Sequence, residues 1–574
     1  TLGRAYALTG DARYVRAWVR QFDAWCEQNP PEIGVNWWSN LEHALRLVSW
    51  WITVKLMLDS DALPAERLVR VVGLLVAKCR HIVTDLDYSI VNMANNHLIG
   101  DVMGLAFVAM ALPDLRESRA WLDLSLPLLW QSAREQIHPD GSSFECAASY
   151  HRFVLHFYLL TLIMAELNGV AVPTDIRKRV EGLAEFVQAA IRPDGTVPQF
   201  GDWDDGLGYR LNDAPVRDFR PVLSTAAVLF ERGDFAASAG RVDQETIWLL
   251  GPTAGETFDA LAGRAEPPRG TMVFPTGGYV VARGDDEHLF IQNTPFTSHT
   301  HADLLSLTWH LDGRPVLVDS GTYTYNGDWA WRTWFRQTAA HNTVTIDHRG
   351  QALAHRAFRW LCTPTARNRA VAYDGPFCFD GEHDAYRDAG AAHRRILVQL
   401  EDQAWLCLDL LDGCGSHHVC AHWHLAADLA VGPVDEGPAL TISRDGDPVA
   451  TLAAASTHPL AVDLPHGRTD PPDGWVSDGY GRKEPAQAIA MSTEAPLPVT
   501  IATVFADAIR AIRPTAVSRR DGEVAVDLDA DGEAMTVRYH LDAVRGRPRQ
   551  VVEAGRVEGP GEQGRAIRAT AMEG

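Results

Sequence analysis

The chain has 574 residues, with 52 lysines and arginines against 74 aspartates and glutamates, a formal charge of −22; that length exceeds what one hydrophobic core serves, so two or more domains are expected. So acidic a balance excludes a general nucleic-acid binder, which needs a basic footprint to release counterions, but it admits an acidic polysaccharide held in a locally basic cleft. With 46% hydrophobic residues the chain reads as globular, and no apolar run, Leu155 to Leu160 included, approaches the roughly 18–20 residues that a membrane span needs.

The chain opens at Thr1 on a helical pattern, Leu2 to Asp11, with neither an initiator methionine nor a signal peptide. Thr1 is therefore expected to lie inside a longer precursor, with a periplasmic or secreted location favoured. From residue 1 to about 250 apolar residues recur at helical spacing, as in Leu41 to Trp51 and Val69 to Val83. Breaks fall at Asn29-Pro30-Pro31, Leu112-Pro113-Asp114, His138-Pro139-Asp140-Gly141 and Arg192-Pro193-Asp194-Gly195, each of which stops a helix or turns the chain. The two Pro-Asp-Gly turns recur 54 residues apart, from Gln136 to Ala190. That period suits a repeated two-helix unit closing into a solenoid or an α/α toroid, of which the toroid is preferred.

Within this part, Asn92-Met93-Ala94-Asn95-Asn96-His97 precedes an apolar helix. A helix N-cap explains one such asparagine; a functional role would need partners. One candidate partner is Asp140 to Arg152, where a turn feeds a helix carrying Glu145, Tyr150, His151 and Arg152, although Tyr150 alone is equally a core aromatic with a satisfied hydroxyl. Gly201-Asp202-Trp203-Asp204-Asp205-Gly206 offers three carboxylates around a tryptophan. They read as solvated turn carboxylates, with the lining of a cleft as the alternative.

Near residue 265 the pattern changes: Glu266-Pro267-Pro268-Arg269-Gly270 ends the helical part, and Gly277 to Asp286 begins short β-rich segments. His288 to Gln292, Val316 to Asp319, Thr343 to Asp347 and Arg395 to Leu400 read as strands, at a density that implies a β-sandwich of one or more layers. A helical domain over 1–265 and an antiparallel β-sandwich over 266–574 are expected, with the tail after about 550 an edge strand or a loose segment. The eight cysteines, 26, 79, 146, 362, 378, 407, 414 and 420, lack a CxxC pair and read mostly as buried thiols, a disulfide among Cys407, Cys414 and Cys420 being the alternative.

The densest chemistry lies over residues 298–343: Ser298-His299-Thr300-His301-Ala302-Asp303, Asp319-Ser320-Gly321-Thr322-Tyr323-Thr324-Tyr325 and Ala340-His341-Asn342-Thr343. His301, Asp319 and His341 are donors suited to a zinc-like ion once a fold brings them together. The competing reading is three unrelated polar residues, since the chain has 22 histidines and the spacing is neither a zinc-finger nor an HExxH pattern.

Together these segments, with Gly34-Val35-Asn36-Trp37, Leu41-Glu42, Arg46 and Arg336, resemble the heparinase II/III-like polysaccharide lyases, and the matching motifs occur in order over most of the chain. The resemblance implies an N-terminal α/α toroid followed by a C-terminal antiparallel β-sandwich. It implies β-elimination on a uronic-acid-containing polysaccharide, a heparin- or heparan-sulfate-like glycosaminoglycan or another acidic polymer, leaving 4,5-unsaturated uronyl ends. By the same resemblance Asn96, with His97 beside it, neutralises the uronate carboxylate, Tyr150 is the toroid's catalytic tyrosine, and His299 is the sandwich histidine. His301, Asp319 and His341 match the metal ligands, usually zinc and structural, fixing the loop that carries His299; another divalent ion and a catalytic role are the alternatives. A second tyrosine comes from Tyr323 or Tyr325, of which Tyr325 is taken. Glu145, Arg152, Trp203 and Arg336 are expected to bind substrate.

These residue types suit the reaction. The proton at C5 of a uronate is weakly acidic because the carboxylate resists a second negative charge, so an amide and an imidazole must offset that charge as an oxyanion hole does. A tyrosine of ordinary pKa about 10 becomes a base only where cations or donors favour the phenolate; Arg152, Arg332 or Arg336 would supply such a field. Two other classes compete: a toroid glycoside hydrolase using Glu145 with Asp202 or Asp204, and a non-catalytic carbohydrate-binding protein.

Overall fold

The computed structural model describes residues 1–372, 377–433, 439–520, 522–541, 551–556, 565–568 and 570–571. The chain divides into two compact units, one of residues 1–144, 150–188 and 206–267, the other of residues 145–149, 189–205 and 268–574.

The first unit is helical throughout, with twelve α-helices between Leu2 and Ala262. Helix Asn96–Ala111 is buried continuously from Leu98 to Met110, so it has neighbours on all sides. Two of its glycines permit this: Gly100 lies against Leu41, and a Cβ on Gly104 would come 2.7 Å from Ala44 Cβ and 2.8 Å from its Cα. The matched order, 41 with 100 and 44 with 104, shows helix Asn40–Lys55 running parallel to Asn96–Ala111. The intervening helix Ala65–Asn92 returns the chain through the three-residue turn Met93–Asn95. Alternate helices that run parallel inside a set of hairpins are the arrangement of an α/α ring.

The second unit is built on antiparallel sheets. A five-stranded meander runs Gly270–Phe274, Tyr279–Arg283, Glu287–Gln292, Leu307–Leu311 and Arg314–Leu317. A nine-stranded sheet is centred on Ala391–Glu401, Ala404–Gly413, Val499–Asp507 and Asp447–Ser456. Strand Ala404–Gly413 shows how the layers form: Trp405 and Cys407 enter one core with Trp309, Trp423 and Phe505, while Leu406, Leu408 and Leu410 enter a second with Val524, Val526 and Tyr539. Period-two alternation with both faces apolar makes this sheet the middle layer. In the tail, strands Val551–Arg556, Arg565–Arg568 and Thr570–Ala571 are described, the last pairing with Ala366–Ala372 at the sheet edge.

All eight cysteines are free thiols; six are buried, and Cys362 and Cys414 are exposed. No helix among the described residues is long and apolar enough to cross a membrane.

Candidate active site and metal centre

In the helical unit the capping role falls to Asn95, whose side chain accepts from the His97 N–H at 3.0 Å. Asn96 is therefore released from capping; it is fully buried as the first helical residue. Behind it on the same helix Asp101 accepts from the Ser89 hydroxyl at 2.6 Å, and burial pushes its pKa up to about 7. Tyr150 stands in the first turn of helix Ala148–Leu167 and is 8% exposed. The neighbouring His151 turns to the Leu183 carbonyl at 2.9 Å, and burial takes its pKa down to about 4. Arg152 donates to the Val216 carbonyl and lies over Phe219, 4.5 Å from the ring centroid.

In the β-rich unit the segments 145–149 and 189–205 join the loop before Ala302. Gly201 makes the junction possible: it adopts φ +63°, and a Cβ there would lie 2.6 Å from the Cys146 carbonyl and 2.8 Å from that of His299. The next residue, Asp202, donates its N–H to the His299 carbonyl at 2.8 Å. Its carboxylate is completely buried. Oδ1 accepts from His301 Nε2 at 3.1 Å and Arg332 NH1 at 2.5 Å; Oδ2 accepts from His299 Nδ1 at 3.2 Å and Arg332 NH2 at 2.9 Å. Although burial would raise the pKa of Asp202, the Arg332 charge and the two histidine hydrogen bonds hold it well below the usual range. Burial lowers the pKa of His299, but Asp202 and Glu145, whose Oε1 is 3.8 Å from His299 Nε2, leave it raised. The expectation that Asp202 is a solvated turn carboxylate is thus corrected: Arg332, 130 residues away, arrives to neutralise it.

Tyr325 and Tyr323 separate clearly. Tyr325 packs at 4.9 Å on Phe358, which in turn contacts His299 at 5.4 Å, and the Arg332 guanidinium lies 5.0 Å from the Tyr325 ring centroid. Tyr323, at φ +63°, instead faces Trp331, Phe335 and Lys483. Trp203 is 2% exposed and gives its indole N–H to Asp205 at 2.9 Å. Arg336 is fully buried, donates to the Ala357 and Arg356 carbonyls and stacks over Trp360. Trp203 and Arg336 thus each hold neighbouring loop residues in place.

His301, Asp319 and His341 converge, each offering one ligand atom within 4.8 Å of the others. His301 gives Nε2 to Asp202 and His341 gives Nδ1 to Asp319 at 2.8 Å, which leaves His301 Nδ1 and His341 Nε2 buried without a hydrogen bond. Two orphaned imidazole nitrogens beside the Asp319 carboxylate, with the His301 ring held from behind by Asp202, fit a zinc-type ion. Asn342 supports the centre from the backbone, donating to the Leu307 and Val318 carbonyls and accepting from the His424 N–H. Sequence reasoning singled out His299, His301, Asp319 and His341 but not the part played by Asp202; the visible signal was a carboxylate directly after a glycine in a loop with no helix to cap.

Residues 1–211 match the heparinase II/III N-terminus and residues 266–526 the heparinase II/III-like C-terminal family. The chain belongs to the heparinase II/III-like family. It is 23% identical over 461 residues to a heparin-sulfate lyase of Pedobacter heparinus, covering 77% of this chain and 63% of the relative, and 22% identical over 516 residues to one of Bacteroides stercoris, covering 84% and 69%. This chain thus spans less than two thirds of the Pedobacter relative. Among solved structures, heparinase III superposes with a TM-score of 0.75 at 18% identity over 94% of this chain and 81% of that one, and a heparan sulfate lyase of Pedobacter heparinus with 0.66 at 18% identity over 95% and 81%. The fold is an α/α toroid followed by an antiparallel β-sandwich.

Proposed function

We propose that the protein is a polysaccharide lyase that cleaves a uronate-containing glycosaminoglycan of the heparin or heparan sulfate kind by β-elimination, in the periplasm or outside the cell. The observation that carries this reading is the Asp202–His299 pair, a buried imidazole held at Nδ1 by a buried carboxylate, in a chain whose relatives are heparin-sulfate lyases.

Asn96 donates to the uronate carboxylate, with His97 beside it, and offsets the charge that builds up as the C5 proton leaves. Tyr150 is the base. His299, held at Nδ1 by Asp202, is the histidine that the β-rich unit contributes to the reaction. The C5–H electron pair becomes the C4=C5 double bond, the C4–O4 bond breaks, and O4 departs as a hydroxyl with a proton from Tyr325. His301, Asp319 and His341 would hold a divalent ion, zinc by donor type, supplying rigidity to the loop that carries His299. Glu145 and Arg152 orient the sugar.

The hydrolase alternative needs a carboxyl that exchanges protons. Asp202 is a poor candidate, since all its acceptor positions are filled and its pKa is depressed. Digestion of heparan sulfate, heparin, chondroitin sulfate and alginate tests the proposal: ultraviolet-absorbing unsaturated ends should appear with at least one, and cleavage without them would favour hydrolysis.

A further inference from the structure

We infer that Asp202 is a positioning residue that couples the metal centre to the orientation and tautomer of His299. This rests on the lyase reading for its consequence in turnover, but its geometry stands apart from that reading.

A carboxylate bearing two oxygens can accept about four hydrogen bonds, and all four positions of Asp202 are used. Because a carboxylate gripped by both nitrogens of the Arg332 fork is an acceptor only, each imidazole nitrogen facing it carries the hydrogen. His299 is thereby protonated at Nδ1 and directs Nε2 away from Asp202. His301 is protonated at Nε2, so only Nδ1 can present a lone pair to a metal, and Nδ1 is the nitrogen left buried without a partner. The same carboxylate thus selects the nitrogen of His301 that can face a metal and the nitrogen of His299 that faces away from Asp202. The backbone reinforces the arrangement: the Asp202 carbonyl accepts from Ser149 Oγ at 3.1 Å, and the next N–H, that of Trp203, donates to Thr322 Oγ1 at 2.9 Å. Arg332 supplies the positive charge that keeps the buried carboxylate ionised, and its own fork is completed by the Ala357 carbonyl.

The consequence is a chain of contacts from ligand to reacting group: His301, Asp202, His299. A divalent ion held by His301 would strengthen the Nε2–H donor that holds Asp202, and a fixed Asp202 holds His299. Loss of the carboxylate should weaken metal binding and turnover together while sparing substrate affinity, because the fully buried Asp202 acts only through the groups it holds, His299 and the Arg332 guanidinium beside Tyr325.

The test compares wild type with D202N, measuring zinc affinity by competition with a chromogenic chelator, and kcat and KM on heparan sulfate. D202N is expected to bind zinc at least tenfold more weakly, within the range of about 10–100-fold for partners of metal-bound histidines, and to lose about 100-fold in kcat with KM changed less than about threefold. Zinc affinity and kcat both equal to wild type would overturn the inference, as would a fall in kcat with unchanged zinc affinity, because the coupling would then be absent. Should D202N fail to fold because Arg332 is left buried and unpaired, D202N/R332M removes both charges and gives the same zinc readout. If the wild type makes no unsaturated product, the lyase reading fails, yet the zinc measurement still decides the coupling; a wild type that binds no zinc overturns it.

Discussion

In the helical unit Asp101 meets a serine hydroxyl and Glu245 an asparagine amide, and burial pushes their pKa values up to about 7 and about 8. In the β-rich unit Asp202 and Asp409 each meet an arginine fork and one or more histidines, and both are held well below the carboxylate range despite equal burial. The difference teaches that burial alone does not decide charge; the partner does. The helical unit holds these two carboxyls among neutral partners, while the β-rich unit holds Asp202 and Asp409 against arginine forks.

The largest effects should come from residues proposed to touch the sugar. Y150F is expected to lower turnover about 1000-fold or more and leave binding to heparan sulfate in place, and N96A to lower kcat about 100-fold with the melting temperature nearly unchanged. Steady-state kinetics with thermal unfolding checks both, and an unchanged rate in either removes that residue from the mechanism.

The contrast itself can be broken by paired substitutions. D409N leaves the buried Arg395 guanidinium uncompensated and should cost about 3–5 kcal/mol in denaturant unfolding, whereas D101N should cost under about 1 kcal/mol below pH 7, where Asp101 is already protonated. The folded pKa of Asp101 lies above its unfolded value of 3.8, so wild-type stability from this group falls as pH rises from about 4 to 7. D101N should therefore gain on wild type as pH rises from about 4 to 7 and keep that gain above it. Equal costs for the two variants would erase the distinction.

Chelation should act on the β-rich unit alone. Removing a metal from His301, Asp319 and His341 is expected to lower its melting transition by several degrees; a transition unchanged by chelator, in protein without metal by elemental analysis, would contradict the ligand assignment.

The smallest effect tests a cation in the helical unit. Lys78 lies 4.0 Å from the Trp37 ring centroid and 3.1 Å from His43 Nδ1, and burial lowers its pKa from 10.5 to about 7. Between those values the unfolded chain binds the proton more readily, so stability from this group rises with pH from about 7 to 10.5. K78M should stabilise the unit most near pH 7 and progressively less toward pH 10. A destabilised K78M would mean that the tryptophan cage holds the ammonium charged through cation–π attraction.

Much of this was legible in sequence because local chemistry dictated it. The 3.6-residue rhythm of Leu41 to Trp51 needed no partner to declare a helix, and His299, His301, Asp319 and His341 stood in short polar motifs between strands. Asp202 was misread because its environment is set by Arg332, 130 residues on, and an acidic loop bounded by glycines looks solvated until that guanidinium arrives. Arg332 and Arg336 lie one helical turn apart, yet only Arg332 reaches a carboxylate while Arg336 is spent on the 356–357 carbonyls. Tyr325 parts from Tyr323 through a backbone angle, the +63° φ at Tyr323, that no side-chain pattern announces.

Mass analysis of the fragments released from heparan sulfate bears most directly on the chemistry. Elimination predicts new non-reducing ends lighter by one water than hydrolytic ends, with the ultraviolet absorbance of a conjugated uronate. Fragments that carry the added water and lack that absorbance would contradict the account.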